Sequence, residues 1–541
     1  MHSFQPLEAR RLFAGGVDSS FGSAQGASFD PSGELFVRDT AVDRFGRMVF
    51  AGLQYSDTED THDLYLSRLN ADGQVDASFG VAGTVRGTLK GVKELVQIIG
   101  RIGGGYVASG RTSSGTRLIA FDESGRVDRA YGKDGIVSLN NLLDVKLLQQ
   151  ADGKLIVLGT DAARDGASGN DRFRYAIRVL TTGRLDATWG DRGEVNLGLS
   201  SGSDSRPTLI NELTSASIDG GGRLVLTFTN TETTRDPITS AITKLATRTF
   251  QQRLGGNGAA DPKFVGRFIN RDSSDTDISS VDVITAVSVT RPDGQVAVLT
   301  RNRDEPDFPI SLSLRGANGQ LAQNRAPSVG QIVGGTFAVE NLVDGVLVAT
   351  ADNQLIIAGV LLKNGGRTPA LIRFDQDLTR DFSFGDNGFM RLPGTADGYQ
   401  PEYLTLNADS TLNVYVRDPE NMPSTGDRRA VRVFQDDRPV ASLRGISRKG
   451  DQIRLTLSVR GIDPINVASL GSDDFRIRAV GPGGGAVPGL ISLTDAGNGD
   501  ALLTLGVNRP RGAYDIVALS RRVSDDDGDF VRAGTFATVT I

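Results

Sequence analysis

The sequence predicts an all-β chain: a seven-bladed β-propeller followed by an immunoglobulin-like β-sandwich. Three observations predict it. A turn-and-strand block recurs seven times over the first 440 residues. A second block, built on Asp, an aromatic residue and Gly, recurs alongside it, and both stop near Pro439, where the pattern changes. Recurrence at a regular spacing is the signature of architectures in which each unit buries its apolar face against its neighbours.

The turn-and-strand block reads FGRMVFAG from Phe45, GGGYVASG from Gly103, DGKLIVLG from Asp152 and GGRLVLTF from Gly221. It continues as DGQVAVLT from Asp293, DNQLIIAG from Asp352 and DSTLNVYV from Asp409. Short apolar runs rich in Val, Ile and Leu, entered from Asp-Gly or Gly-Gly, are strands fed by tight turns in which Gly supplies the positive φ. The second block occurs as DSSFG at Asp18–Gly22, DASFG at Asp76–Gly80, DRAYG at Asp128–Gly132, DATWG at Asp186–Gly190 and DFSFG at Asp381–Gly385. A degraded copy, DPKFVG, spans Asp261–Gly266. Another Gly usually follows three residues later, at Gly83, Gly135, Gly193 and Gly388. A third block precedes the second: LYLSRLNADGQVD from Leu64, RLIAFDESGRVD from Arg117, YAIRVLTTGRLD from Tyr175 and ALIRFDQDLTRD from Ala370.

Seven units therefore fill residues 15–440, one about every 60 residues. Units four and five are longer, with insertions around 201–206 and 231–237. Helical periodicity is nearly absent, and radial packing of four-stranded units leaves only short, protected edges. Asp18–Gly22 is the tail of a unit whose first part does not precede it, and the seventh unit lacks a tail. The N-terminal fragment is thus expected to complete the last blade and close the ring.

The combination L-D-x-x-F-G-x-x-G-x-V, Q/A-D-G-K-I-x-V-x-G and L-x-R-x-x-x-D-G-x-x-D, carried well by Arg184–Val195 and Ala151–Gly159, resembles the bacterial delta-60 repeat over residues 15–435. Units four and five depart from it: Asp261–Gly266 carries an extra residue, and Leu321–Gly330 has lost the Asp and the aromatic. The resemblance implies secretion or surface display and no shared activity. FQPLEARRLFAG at Phe4–Gly15 resembles the L-E-P-R-x-L-L segment that opens many exported planctomycete proteins, with Ala9 for the proline and Phe13 for the last leucine. It implies a targeting-type segment over residues 1–14.

Residues 441–541 carry a different pattern. Strands are expected at Gln452–Val459, Phe475–Val480, Leu490–Leu493, Ala501–Val507, Tyr514–Leu519 and Phe530–Ile541. In the first, Ile453, Leu455, Leu457 and Val459 alternate with polar residues, as in a half-buried strand. About seven strands in a hundred residues give a sandwich. The stretch from Gly461 to Ile477 resembles bacterial immunoglobulin-like surface modules, without a core disulfide.

Composition narrows the chemistry. The 541 residues include no cysteine and two histidines, His2 and His62, with a net charge of −6. Thiolate metal sites, disulfides and a cysteine nucleophile are excluded, and most zinc chemistry with them. No run of about 18 apolar residues would span a membrane, and the acidic balance offers nothing to nucleic acid. Three polar clusters stand out. His62 lies in DTEDTHD at Asp57–Asp63. Asp525, Asp527 and Asp529 fall in SDDDGD at Ser524–Asp529, where calcium ligands are conceivable but EF-hand spacing fails. DAGNGD occupies Asp495–Asp500. Each reads first as a solvated loop. The repeated Asp, Gly, Phe21, Phe79, Tyr131, Trp189 and Phe384 read as turn and packing residues. No residue is assigned to catalysis, a cofactor or a metal, and no cofactor is expected. The expectation is a monomeric, non-catalytic, exported or cell-surface binding or scaffold protein whose partner is a polar ligand, glycan or protein. The rival is a propeller enzyme, a carboxylate-based or calcium-dependent hydrolase or lyase acting on polysaccharide.

Overall fold

The computed structural model describes residues 16–18, 21–22, 27–28, 35–54, 63–87, 91–161, 173–199, 208–235, 242–264, 269–271, 284–302, 311–320, 342–363, 366–385, 388–392, 400–407, 410–417, 428–435, 438–461, 465–480, 488–497, 500–508, 513–519, 522–524, 531 and 533–540. Among them are 35 strands and two short 3-10 turns, and no helix is long and apolar enough to cross a membrane. The chain is all-β.

Among the described residues two short strands, β1 (Gly16–Val17) and β2 (Ala27–Ser28), come first. Antiparallel sheets follow in chain order. The first holds β3 (Leu35–Val42), β4 (Met48–Gln54), β5 (Asp63–Leu69) and β6 (Thr84–Gly87). The second holds β7 (Glu94–Gly100), β8 (Tyr106–Thr112), β9 (Gly115–Phe121) and β10 (Ile136–Asn140). The third holds β11 (Leu142–Gln149), β12 (Leu155–Asp161), β13 (Phe173–Val179) and β14 (Glu194–Leu199). The fourth holds β15 (Thr208–Ile218), β16 (Leu224–Arg235), β17 (Ile242–Leu254) and β18 (Ile269–Arg271). Three described strands make the next, β19 (Ile284–Thr290), β20 (Val296–Asn302) and β21 (Ser311–Arg315). Then come β22 (Leu342–Ala349), β23 (Leu355–Lys363), β24 (Gly366–Phe374) and β25 (Phe389–Arg391). The last sheet of this region joins β26 (Gln400–Leu406), β27 (Leu412–Arg417) and β28 (Arg428–Phe434). Both β1 and β2 pair with β28, Gly16 opposite Phe434 and Ala27 opposite Ala430.

The seven turn-and-strand blocks become β4, β8, β12, β16, β20, β23 and β27. These are central strands, covered on both faces, which is why they read as continuous apolar runs. Residues 231–235, expected within an insertion, instead prolong β16, whose ladder with β17 runs from Leu224 to Arg235. Each sheet's first strand touches that of the next, and six of these strands carry a bulge: β3, β7, β11, β15, β22 and β26.

Apolar side chains fill the spaces between successive sheets. Leu66, Phe79, Tyr106 and Ile119 join the first sheet to the second, and Trp189, Leu226 and Leu158 join the third to the fourth. Phe384, Val414 and Val431 join the last two. Phe50 and Met48 of the first sheet pack with Phe21, Tyr415 and Ala430 of the last.

The C-terminal region stacks two antiparallel sheets. One orders β29 (Val440–Lys449), β30 (Gln452–Arg460), β33 (Asp500–Asn508) and β32 (Gly489–Gly497). The other orders β31 (Phe475–Ala479), β34 (Ala513–Ala518) and β35 (Gly534–Thr540). Leu455, Leu457, Leu503, Ile516 and Val539 form their shared core. Phe45, from the turn between β3 and β4, is part of the same core.

Candidate functional site

At the end of β5, Arg68 Nη2 lies 2.7 Å from Asp76 Oδ2, both side chains buried. The same pair forms between Arg178 and Asp186 (2.9 Å), Arg253 and Asp261 (2.7 Å), and Arg373 and Asp381 (2.7 Å). Each guanidinium also lies over the block's aromatic ring: Arg68 is 4.4 Å from the Phe79 centroid, Arg178 5.4 Å from Trp189 and Arg373 4.8 Å from Phe384. The Nη1 atom then donates to a turn carbonyl of the next sheet, Arg178 to Gly256 O and Arg253 to Ala317 O, each at 2.8 Å. The block's last glycine also crosses to the next sheet, Gly80 N donating to Ser124 O at 2.9 Å. Gly80 is required there: its φ is +57°, and a Cβ would lie 1.9 Å from Thr84 O.

These contacts hold the aspartates ionised. Burial pushes Asp76 up, but the Ser78 hydroxyl and Arg68 outweigh it and hold its carboxyl below the ordinary value. Asp186 is held at about 2, chiefly by the Thr188 hydroxyl and, against some burial, by Arg178 and Lys154. The recurring Asp, aromatic and Gly are thus ties between sheets, as turn and packing residues should be. Sequence reasoning missed the arginine. Its signal was a fixed spacing of eight residues before the Asp in four units.

Two units place the arginine elsewhere. The second has Ala120 at the position of Arg68, and there Arg101, in the turn before β8, pairs with Asp128 at 2.6 Å and lies 5.2 Å from the Tyr131 centroid. The β19–β21 sheet has Leu314 at that position, and Arg291, from the matching turn, donates to Gln376 O of the next sheet at 2.8 Å. The guanidinium recurs where the sequence position does not.

A cleft of about 500 Å³ opens where the first sheet meets the C-terminal sheet, within the ~300–1,000 Å³ usual for ligand pockets. Arg47 and Asp72 line one wall, and Arg444, Thr456 and Asp500 the other. Behind the walls, Arg47 pairs with Asp43 at 2.6 Å. Arg460, also in the lining, pairs with Asp18 at 2.9 Å, both side chains only 1–2% exposed. Asp18 directly follows β1, and its N–H donates to Arg432 O of β28 at 2.9 Å. Arg432 in turn donates to Ala71 O and to Gly46 O, and Ala71 lines the cleft.

A second polar centre follows the bulges of the first strands. Asp39 Oδ2 accepts from Ile98 N at 2.8 Å, Gln97 Oε1 from Leu147 N at 2.6 Å, and Tyr403 donates to Arg38 O at 2.6 Å. Bulges re-aim side chains, and here they aim them at the next sheet. Burial raises Asp39 to about 7 against the opposing pull of Ile98 N–H and Lys146. Crowding lowers the Lys146 ammonium, with Asp39 opposing. Lys146 is exposed to solvent, whereas Asp39 is buried.

His62 and Asp525, Asp527 and Asp529 lie outside the described residues. Asp495 is exposed on the edge strand β32, whereas Asp500 reaches the cleft wall. Among the described residues no group of three His, Asp or Glu could hold a metal.

Comparison with known proteins supports a propeller-like repeat protein. The family model described as "Domain of unknown function (DUF5122) beta-propeller" matches residues 46–79 and 350–384, in the first sheet and in the β22–β25 sheet. No curated protein matches the sequence. Among solved structures, prolyl oligopeptidase B from Galerina marginata is similar at 10% identity and a TM-score of 0.39, over 82% of this chain and 56% of that one. This chain therefore spans little more than half of that protein. Polysaccharide lyase Uly1 is similar at 9% identity and a TM-score of 0.27, over 93% and 98% of the two chains. A GDP-Man-dependent mannosyltransferase from Leishmania mexicana is similar at 11% identity and a TM-score of 0.24, over 52% and 85%.

Proposed function

We propose that the protein is a non-catalytic, exported or cell-surface binding and scaffold protein whose ligand is polar, a glycan or a surface protein. In this reading residues 15–440 form a seven-bladed ring closed by β1 on β28, and residues 441–541 an immunoglobulin-like module. The observation that carries it is the use made of the recurring motif: its Asp, Arg, aromatic and Gly are spent on ties between sheets, while the polar cleft is built from residues outside the motif's core, contributed by both regions. Export rests on the N-terminal resemblance and on the delta-60 likeness. The test is a screen of purified protein against polysaccharides, ester substrates and surface-protein fractions, with and without calcium. Saturable binding without turnover is expected. Turnover would overturn the reading, and a fusion retained in the cytoplasm of its native cell would overturn the localisation.

One observation favours the rival. Burial raises Asp39 to about 7, with Lys146 opposing, which brings it into the range a general acid or base uses at neutral pH. If the protein is a hydrolase or lyase, Asp39→Asn abolishes turnover while the ring stays folded. Turnover unaffected by that change excludes Asp39.

A further inference from the structure

We infer that the cleft between the first sheet and the C-terminal sheet binds a neutral oligosaccharide, and that its occupancy is linked to the docking of the two regions. The inference rests on the binding-protein reading and names the ligand. Both signs of charge line the cleft: Arg47, Arg444 and Arg460 against Asp72 and Asp500. Asp43 and Asp18 neutralise Arg47 and Arg460 from behind. An anionic ligand would meet the two lining carboxylates, and a cationic one the guanidiniums. A neutral, hydroxyl-rich ligand uses both kinds, donating hydrogen bonds to the carboxylates and accepting them from guanidinium, from the Asn70 amide and from the Thr456 hydroxyl. Ala71, Ala496 and Leu502 supply the small apolar surfaces that the C–H faces of a sugar ring cover. Phe45 offers no stacking platform, because Arg44 and Arg47 already lie 4.8 and 4.7 Å from its ring centroid. Recognition therefore runs through hydroxyl pairs.

The linkage follows from where the walls come from. Asp72 belongs to the turn after β5, and Asp500 begins β33. A ligand touching both stabilises the docked arrangement over the separated one, in proportion to the logarithm of its concentration.

The experiment titrates the full chain by calorimetry with neutral gluco-, manno- and galacto-oligosaccharides of four to six residues, and with uronate oligomers of the same lengths. A parallel series follows the melting temperature. At least one neutral oligomer should bind saturably and raise the melting temperature. Asp72→Ala and Asp500→Ala should each weaken binding by about tenfold or more, the loss of one hydrogen bond to a charged group. Ala496→Arg, at an exposed lining position, fills the cleft mouth and should abolish binding with unfolding unchanged. Binding of uronates alone, or of a neutral oligomer with affinity indifferent to all three substitutions, overturns the inference. Failure of every saccharide also overturns it, and a saturable surface-protein ligand in the same assays would leave the binding-protein reading standing. Turnover of a bound oligomer that depends on Asp72 and Asp500 would keep the site and overturn the non-catalytic reading.

Discussion

The first and second sheets solve one problem with different residues. In the first, the tie to the next sheet starts from the end of the third strand, where Arg68 meets Asp76 and Phe79. In the second, that position is Ala120, and the cation arrives from the turn between the first two strands, where Arg101 meets Asp128 and Tyr131. The difference teaches that the unit fixes a point in space, over the aromatic ring and beside the aspartate, and tolerates a cation from either strand that reaches it. It also separates the pairs energetically. Arg68 is 1% exposed, whereas the Arg101 and Asp128 side chains are 20% and 25% exposed, so water already serves part of the second pair.

The sharpest way to break the comparison is Arg68→Ala. It leaves Asp76 buried beside Phe79 without its cation, and removing one partner of a buried pair costs about 3–5 kcal/mol. Denaturant unfolding should show a loss of that size, and a loss under about 1 kcal/mol would mean the ties are ornamental. A gentler test moves the cation. Arg101→Ala should cost about 1–3 kcal/mol, and Arg101→Ala with Ala120→Arg should recover at least half of it. No recovery would show that sequence position matters after all.

The effects of pH oppose one another in sign. Asp76, Asp186 and Asp381 are lowered in the folded chain, with Asp186 at about 2, from about 3.9 when unfolded. The stability they confer is present above pH 4 and lost as pH falls through the folded values. Asp39 is raised to about 7. The folded chain therefore keeps that proton longer, and stability declines as pH rises from about 4 to 7. Unfolding midpoints from about pH 2 to 7 should pass through a maximum near pH 4, with Asp186→Asn flattening the acid limb and Asp39→Asn the other. An upper limb unchanged in Asp39→Asn would remove Asp39 from consideration as a perturbed group.

Much of the repeat region was legible because its signals are local. A turn glycine and the apolar run behind it sit side by side in the chain, so all seven turn-and-strand blocks are placed on strands by the sequence alone. The aromatic residues were legible for the same reason. The arginine tie was half legible, since Arg68 and Asp76 keep a fixed spacing, but Arg101 breaks the spacing while keeping the contact. The first strands were not legible. LFVRDTAV, ELVQIIG and LLDVKLLQ share no motif, because bulges and contacts with the next sheet decide what each residue does. Nor was the cleft. Asp72 and Asp500 are brought together by the docking of two regions, and no local pattern announces it.

The pairing of β1 with β28 carries a consequence for the order of events during synthesis. Gly16 and Val17 leave the ribosome more than 400 residues ahead of their partners, Phe434 and Val433. At ~5–20 residues per second the opening strand waits roughly 20–80 s with its backbone unpaired. Throughout that interval β1 is an unpaired strand, available to any other strand edge nearby. The sheets between β1 and β28 pair from local sequence and need not wait. A brief delay late in translation should therefore be harmless to individual sheets and costly to the whole. The misfolded species to look for are chains joined edge to edge, the opening strand of one lying in the last sheet of another.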